Sequence, residues 1–375
     1  MPLAQWPKLP VLTVMLLITA VYLHLMWPAY FWIPVVALVS LLVLARKWQA
    51  AALIALALLI LGLYFSVRYG AWGVTIDGVT YRAGFWYALL YTLAVVGMGV
   101  RFLILYRGRD KYMFIRAIFN MCSQLLVGFA AAFLLPYEWG GSAPDASGSG
   151  VFFMYLWPLE INAVLIGKYS GLTKTVKLLL AYNIIAGLVI MPVLVYFYGR
   201  RPYCSWFCGC GCLAETFGDP FRRLTPRSRL SRKLEYVIYP VTLWALGMTV
   251  WVLLTPGERL SGVMAAMGHY ELYVKFILSS LIGVGLYSLM GARIWCRYFC
   301  PWVGLFGLVA KFGRYAIRTR GDMCMGCGIC NTYCEMGIDI RGFAMRGEPV
   351  KTTTCVGCGM CIQKCPRRVL SFTIE

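Results

Sequence analysis

Apolar runs separated by short basic stretches fill the chain as far as about residue 313, after which the pattern breaks. Runs approaching the ~20 residues that cross a bilayer fall at 10–27, 29–45, 50–67, 84–106, 112–136, 175–198, 235–255 and 270–290. They predict an all-α polytopic membrane protein of about eight transmembrane helices. A ninth apolar stretch, 151–167, is interrupted by Pro158, Glu160 and Asn162. The basic loops Arg46-Lys47, Arg107 to Lys111, Arg200 to Lys233 and Arg293 onward belong on one side. An even number of crossings then separates residue 111 from residue 200, so 151–167 reads as re-entrant or interfacial, a setting that tolerates a proline and an acid. Both termini fall on the basic side, although Lys168, Lys174 and Lys177 fit this arrangement poorly.

Composition agrees with a membrane protein. Hydrophobic residues make up 61% of the chain and charged ones 13%, outside the soluble globular balance. The net charge of +20 invites a nucleic-acid reading, but its placement argues otherwise. Residues 199–233 carry eight Arg/Lys against two acids, 291–320 six against none, and 321 onward six against five. Basic residues crowded at the ends of apolar runs are what the positive-inside rule produces, so the basic face is cytoplasmic and no nucleic-acid partner is implied. Residues 11–27 look like a signal-peptide core, yet 29–45 follows at once, so both read as retained helices. The chain divides into N-terminal transmembrane helices (1–139), a Gly/Ser/Pro loop (140–150), a transmembrane core (151–313) and a C-terminal domain (314–375).

Eight of the fifteen cysteines lie in that last domain, in two runs of identical spacing. Cys324, Cys327, Cys330 and Cys334 form one, and Cys355, Cys358, Cys361 and Cys365 the other. This is the ligand spacing of a bacterial-type ferredoxin with two 4Fe-4S clusters, in which the fourth cysteine of each run ligates the other cluster. Cys324, Cys327, Cys330 and Cys365 are thus assigned to cluster one, and Cys355, Cys358, Cys361 and Cys334 to cluster two, in a small α+β domain. Glycines 326, 328, 357 and 359 let the backbone curl around the clusters. Pro366 follows Cys365 as the pattern asks, whereas Glu335 stands where a proline would follow Cys334. The clusters and the basic loops beside them place the domain in a reducing, cytoplasmic setting.

An internal repeat appears at an offset of 92. Gly199-x-Arg201-x-Tyr203-Cys204-x-Trp206-Phe207-Cys208 matches Gly291-x-Arg293-x-Trp295-Cys296-x-Tyr298-Phe299-Cys300. Repeated units in a membrane domain tend to pack about a pseudo-two-fold axis with the site between them. Spacing of i and i+4 sets each cysteine pair on one face of a helical turn. Cys204, Cys208, Cys296 and Cys300 then either hold a third iron-sulfur cluster or a metal, or are small buried hydrophobes. Cys210 and Cys212 have no counterparts in the second copy and stand as substitute ligands. Cys122 reads as core. His24 and His269 lack a partner at ligand spacing and read as structural.

Paired Cys-x3-Cys loops after transmembrane helices, the second continuing Cys300-Pro301, followed by a two-cluster ferredoxin domain, resemble the NapH/NosR/CcoG family of membrane polyferredoxins. The likeness covers about residues 175–375. The first loop departs from it with Cys208-Gly209-Cys210 in place of Cys-Pro. The resemblance implies single-electron transfer between the quinone pool and a redox partner in a prokaryotic cytoplasmic membrane. Its alternative is an assembly factor that reduces a metal ion or maintains a respiratory metal centre. Expected partners are membrane lipid and quinone, a cytoplasmic ferredoxin, flavodoxin or flavoprotein, and further subunits of a membrane complex. For the quinone, Glu160, Asn162 and Lys168 are the candidates, with exposure at the water interface as the bland reading of Glu160. The basic loops either fix topology or steer an acidic carrier.

Overall fold

In a computed structural model, the described residues are 73–76, 79–106, 111–131, 156–158, 161, 181–198, 201–256 and 260–374. The expected spans 10–27, 29–45 and 50–67, the loop 140–150, and Glu160, Asn162 and Lys168 lie outside them.

Among the described residues, four helices are long and apolar enough to cross a membrane: Ala88–Leu105, Lys111–Ala130, Ala181–Tyr198 and Arg229–Leu254. They correspond to the expected 84–106, 112–136, 175–198 and 235–255. Leu93, Ile104, Leu126, Leu243 and Leu254 stand exposed along them while Thr92, Asn183, Thr242 and Thr249 face inward. This inversion suits a lipid surround, in which apolar side chains face out and backbone groups must be satisfied within the helix. The expected 270–290 span is reached by a helix, Leu260–Tyr270, that continues as π-helix over Glu271–Val284 and is followed by the short Tyr287–Met290.

The fold is not helical throughout its N-terminal part. Strands β1 (Gly73–Ile76) and β2 (Val79–Arg82) form an antiparallel hairpin, with Ile76 opposite Val79. The signal lies in Val74-Thr75-Ile76-Asp77-Gly78-Val79-Thr80-Tyr81, where alternation flanks Asp-Gly, a strong hairpin dipeptide; counting only apolar runs hid it.

In the C-terminal domain β3 (Tyr315–Thr319) pairs antiparallel with β4 (Leu370–Ile374). The two ends of the cysteine-rich stretch are thereby tied together. Between them lie short helices at Ile329–Thr332, Ile340–Met345 and Met360–Lys364. The domain does not hang from the membrane part on a tether. Helix Pro301–Phe312 packs against Ile238–Leu254 and Met191–Tyr198 and runs straight on toward β3. One hydrophobic core joins Val195, Trp302 and Phe306 to Ile317, Met336 and Cys334. Burying a side chain the size of Phe306 favours this packing by about 1.5–3 kcal/mol.

Candidate metal centres

The sharp turns of the C-terminal runs come from glycine. Gly326, Gly328, Gly357 and Gly359 all have φ between +68° and +78°, a region that costs a residue with a Cβ. Gly328 and Gly359 each open a short helix. Cys324, Cys327, Cys330 and Cys365 line one cavity, and Cys334, Cys355, Cys358 and Cys361 line another. Backbone N–H groups of Ile338, Gly357 and Val369 donate to the sulfurs of Cys334, Cys355 and Cys365, each at 3.4 Å. Such bonds favour thiolate over thiol. The first cavity sits at the surface, with Cys327 exposed and Met325 and Arg341 on its rim. The second lies against the membrane part, where Tyr112 Oη donates to the Gly357 carbonyl at 2.8 Å.

The two repeated loops have the same local structure. Each makes a π-helical turn, Tyr203–Phe207 and Trp295–Phe299. Each turn is closed by its second cysteine, whose N–H donates to Tyr203 at 2.9 Å or Trp295 at 3.0 Å. Cys208 and Cys300 then adopt extended backbone, ψ 130° and 115°, and start the helices Gly209–Thr216 and Pro301–Phe312. The turn is therefore wider than the α-turn expected from the i,i+4 spacing. Gly291 has φ +83°, and a Cβ there would lie 2.5 Å from Thr225 Oγ1, so the approach to the second loop requires glycine.

All four loop thiols are buried, between 4% and 6% exposed. The two loops meet where Arg293 of the second donates to the Cys204 carbonyl of the first at 3.3 Å; burial, then the thiols of Cys208, Cys296 and Cys300, push the Cys204 thiol well above its ordinary value. Cys210 joins them: its thiol donates to Cys208 and, against the effect of burial, draws that residue down to about 7. Cys212 points elsewhere, 3.9 Å from Ser123 Oγ, and burial pushes it up to about 12. The two extra cysteines are thus not equivalent. Cys122, expected in the core, is exposed, because its helix turns that face outward. Among the described residues no three His, Cys, Asp or Glu side chains gather around one point as ligands of a single ion do. A cubane spreads its thiolates over four iron corners, farther apart than the ligands of one ion.

Around these thiols lies a buried charge network that motif reading missed. Glu215 meets Arg222 at 2.8 Å and Arg293 at 3.4 Å and accepts a hydrogen bond from Arg116. Arg222 also holds Asp219 and Glu335, both at 2.7 Å, and Arg293 reaches Glu335 at 3.1 Å. Burial raises the Glu215 carboxyl, but Arg116, Arg222 and Arg293 more than offset it and hold it at about 2. The network explains Glu335 in place of proline: beside Cys334, its carboxylate anchors the ferredoxin domain to the second repeat through Arg293 and, through Arg222, to the segment that follows the first. Other arginines of the basic loops do the same work. Arg227 donates to the Asn331 and Thr332 carbonyls at 2.9 and 2.8 Å, Arg223 to Tyr333, and Arg201 to the Thr353 carbonyl. The glutamate that replaces proline after Cys334 and the arginine in each repeat were the sequence signals for this docking.

The broken segment is described at Leu156–Pro158 and Ile161. Its backbone is not helical: the Leu156 N–H donates to Tyr203 Oη at 3.2 Å and the Trp157 N–H to Asn183 Oδ1 at 3.0 Å. Irregular backbone inside a membrane protein needs such internal partners.

A family model described as a 4Fe-4S binding domain matches residues 180–228 and 275–320, the segments that carry the two repeated loops. Among curated relatives, YccM of Escherichia coli (strain K12), assigned to electron transport by name only, is 27% identical over 58% of this chain and 63% of its own length. The methylamine utilization ferredoxin-type protein MauN of Methylobacillus flagellatus is 24% identical over 54% of this chain and 70% of its own. The ferredoxin-type protein NapH of E. coli (strain K12) is 26% identical over 38% and 51%. The chain thus spans less than two thirds of YccM. No solved structure matches it.

Fold and matched segments describe a chain with helices of membrane-crossing length and cysteine sets of the 4Fe-4S binding type. The matches are to ferredoxin-type membrane proteins and support a likeness to the NapH-type polyferredoxins.

Proposed function

We propose that the protein moves single electrons between quinone or quinol in a prokaryotic cytoplasmic membrane and a soluble carrier on the cytoplasmic side. The observation that carries this reading is the succession of thiol groups within one continuous core. The repeated-loop thiols lie innermost, the Cys334/Cys355/Cys358/Cys361 cavity against the membrane part, and the Cys324/Cys327/Cys330/Cys365 cavity at the surface. The residues fit 4Fe-4S clusters in number, in their glycine turns and in the N–H groups aimed at sulfur. When bound, the clusters supply the one-electron chemistry.

The chain's own residues do the rest. Two groups of four cysteines hold clusters one and two, and Cys204, Cys208, Cys296 and Cys300 hold a third, with Cys210 beside them. Tyr112 and the arginines of the basic loops fix the ferredoxin domain against the membrane part and so keep the transfer distances short. A quinol gives up two electrons, accepted one at a time, and two protons; Glu160, Asn162 and Lys168 are the groups proposed to receive it. At the far end Arg341, Arg367 and the exposed Met325 frame Cys327. That basic, adaptable rim suits an acidic ferredoxin, flavodoxin or flavoprotein.

The test uses the full chain in lipid nanodiscs. A quinol analogue should reduce the clusters, read by electron paramagnetic resonance, within the turnover time of the membrane pool. No reaction with quinone but rapid reduction of ferric or cupric ions would replace this reading with that of a metal-centre assembly factor.

A further inference from the structure

Resting on the reading of the repeated loops as a cluster site, we propose that Arg201 is a positioning residue between that site and cluster two. Its fixed charge offsets the negative charge of the inner thiolates, and its guanidinium ties them to the loop that precedes Cys355.

Arg201 and Arg293 occupy equivalent places, each three residues before the first cysteine of its loop, yet they are used differently. Arg293 is neutralised by Glu215 and Glu335. Arg201 is 1% exposed and, among the described residues, forms no ion pair with an acid. One Nη donates to the Thr353 carbonyl, while its Nε and other Nη have no hydrogen-bond partner. A buried guanidinium with donors left over calls for an anion. Burial works against its charge, and the groups that favour it are the sulfurs of Cys204, Cys296, Cys355 and Cys300. Three of these belong to the repeated loops and one to cluster two.

The space around Arg201 is shaped for this contact. A Cβ at Gly307 would come within 3.3 Å of its Nη2 and 3.2 Å of the Thr353 carbonyl, so glycine there lets the guanidinium pass. Thr353 stands two residues before Cys355 and Arg201 three before Cys204, so this one bond ties the first repeated loop to the loop that leads into cluster two. Lysine keeps the charge but not the fork.

The consequence is electrostatic. Reduction by one electron, delivered from quinol or from the soluble carrier, adds one negative charge to the inner thiolate site. Arg201 stabilises that charge without a proton being taken up, which raises the reduction potential of the inner site. Holding Thr353, it also keeps the inner site and cluster two at a fixed separation.

The experiment compares the full-length protein with Arg201→Gln and Arg201→Lys in nanodiscs. It measures iron per chain, the midpoint potentials by spectroelectrochemistry, and the rate of electron exchange after rapid mixing with reductant. With about twelve irons in the parent, Arg201→Gln should keep its iron, lower the inner potential and slow exchange at least tenfold; Arg201→Lys should restore most of the potential but only part of the rate. Unchanged potential and rate in an iron-replete Arg201→Gln protein would overturn the proposal. If Arg201→Gln loses about four irons, recovery of that iron by Arg201→Lys supports the role of charge, and failure to recover it assigns Arg201 to shape and overturns the role of charge. About eight irons in the parent would instead remove the third cluster itself, a distinct failure of the underlying reading.

Discussion

Cys324, Cys327 and Cys330 reach one cavity from seven consecutive residues, whereas the loops of Cys204 and Cys296, 92 positions apart, meet through Arg293 and the Cys204 carbonyl. In the first region the cysteines are gathered by local backbone: positive-φ glycines, short helices and N–H groups turned to sulfur. In the second they are gathered by tertiary packing, by two π-turns and by a buried ion network in which Glu215 and Glu335 hold the arginines. The local device tolerates exposure, as at Cys327. The tertiary device exists because everything around it is dry.

The largest effect should come from dismantling the inner set. Cys204→Ser with Cys296→Ser is expected to lower iron from about twelve to about eight per chain and leave the signals of the C-terminal clusters in place. Iron and spectra identical to the parent would break the comparison, leaving the inner cysteines as packing residues.

Next is the network itself. Glu215→Gln strips the shared partner from Arg116, Arg222 and Arg293, and removing one member of a buried ion group costs about 3–5 kcal/mol. Thermal unfolding in detergent should show that loss. A change below about 1 kcal/mol would mean that the arginines find other partners and that the inner region is not held by charge.

The same residue gives a pH signature. The folded-state value of Glu215 is depressed to about 2, against ~4.3 for an unperturbed glutamate. Its contribution is therefore complete above ~4.3 and disappears as pH falls toward about 2. Acid also strips clusters, so the measurement is the difference between parent and Glu215→Gln. The gap in unfolding temperature should narrow steadily from about pH 4.3 downward. A gap that stays constant across this window would show that the carboxylate is not what stabilises the network.

How much of this was legible follows the same division. Spacing alone grouped the eight C-terminal cysteines into the two sets that line the two cavities, because a loop of this length is a local object that fixes what it surrounds. The repeat at offset 92 marked the inner loops, because the same local turn is built twice. What the chain does not spell out is which buried charges meet: nothing in Arg116, Glu215 or Glu335 taken singly says that they converge, since each lies on a different element. The basic loops were open to reading as topology signals or steering patches. Arg222, Arg223, Arg227 and Arg297 instead make internal contacts, and counting charge along a loop cannot distinguish a solvated arginine from one that docks a domain. The β1–β2 hairpin was readable from Asp-Gly but lay between longer, louder apolar runs.

A smaller effect should appear in the locally built region. Asp339 caps the helix Ile340–Met345, accepting from the Gly342 N–H at 3.2 Å, and it also accepts from Asn331 at 2.6 Å. Asp339→Ala should cost about 1 kcal/mol, the usual value of an N-cap, with all clusters retained. A loss comparable to that of Glu215→Gln would erase the contrast between local and tertiary construction.

The smallest effect separates the two extra cysteines. Cys212 is fully buried beside Ser123 and the Phe207 carbonyl, with its thiol turned from the inner set, while Cys210 donates directly to Cys208. Cys212→Ser substitutes one small donor for another where hydroxyl and carbonyl partners are already present. Iron per chain and midpoint potentials should stay at parental values. Loss of about four irons would make Cys212 a ligand, and the π-turn geometry that sets Cys204 and Cys208 toward Cys296 and Cys300 would then describe a neighbouring contact instead of the site. Parental iron in Cys212→Ser, together with a changed spectrum in Cys210→Ser, would confine the inner site to five thiols, one more than a cubane takes, and mark Cys210 as the residue by which the first loop departs from the second in function as well as in sequence.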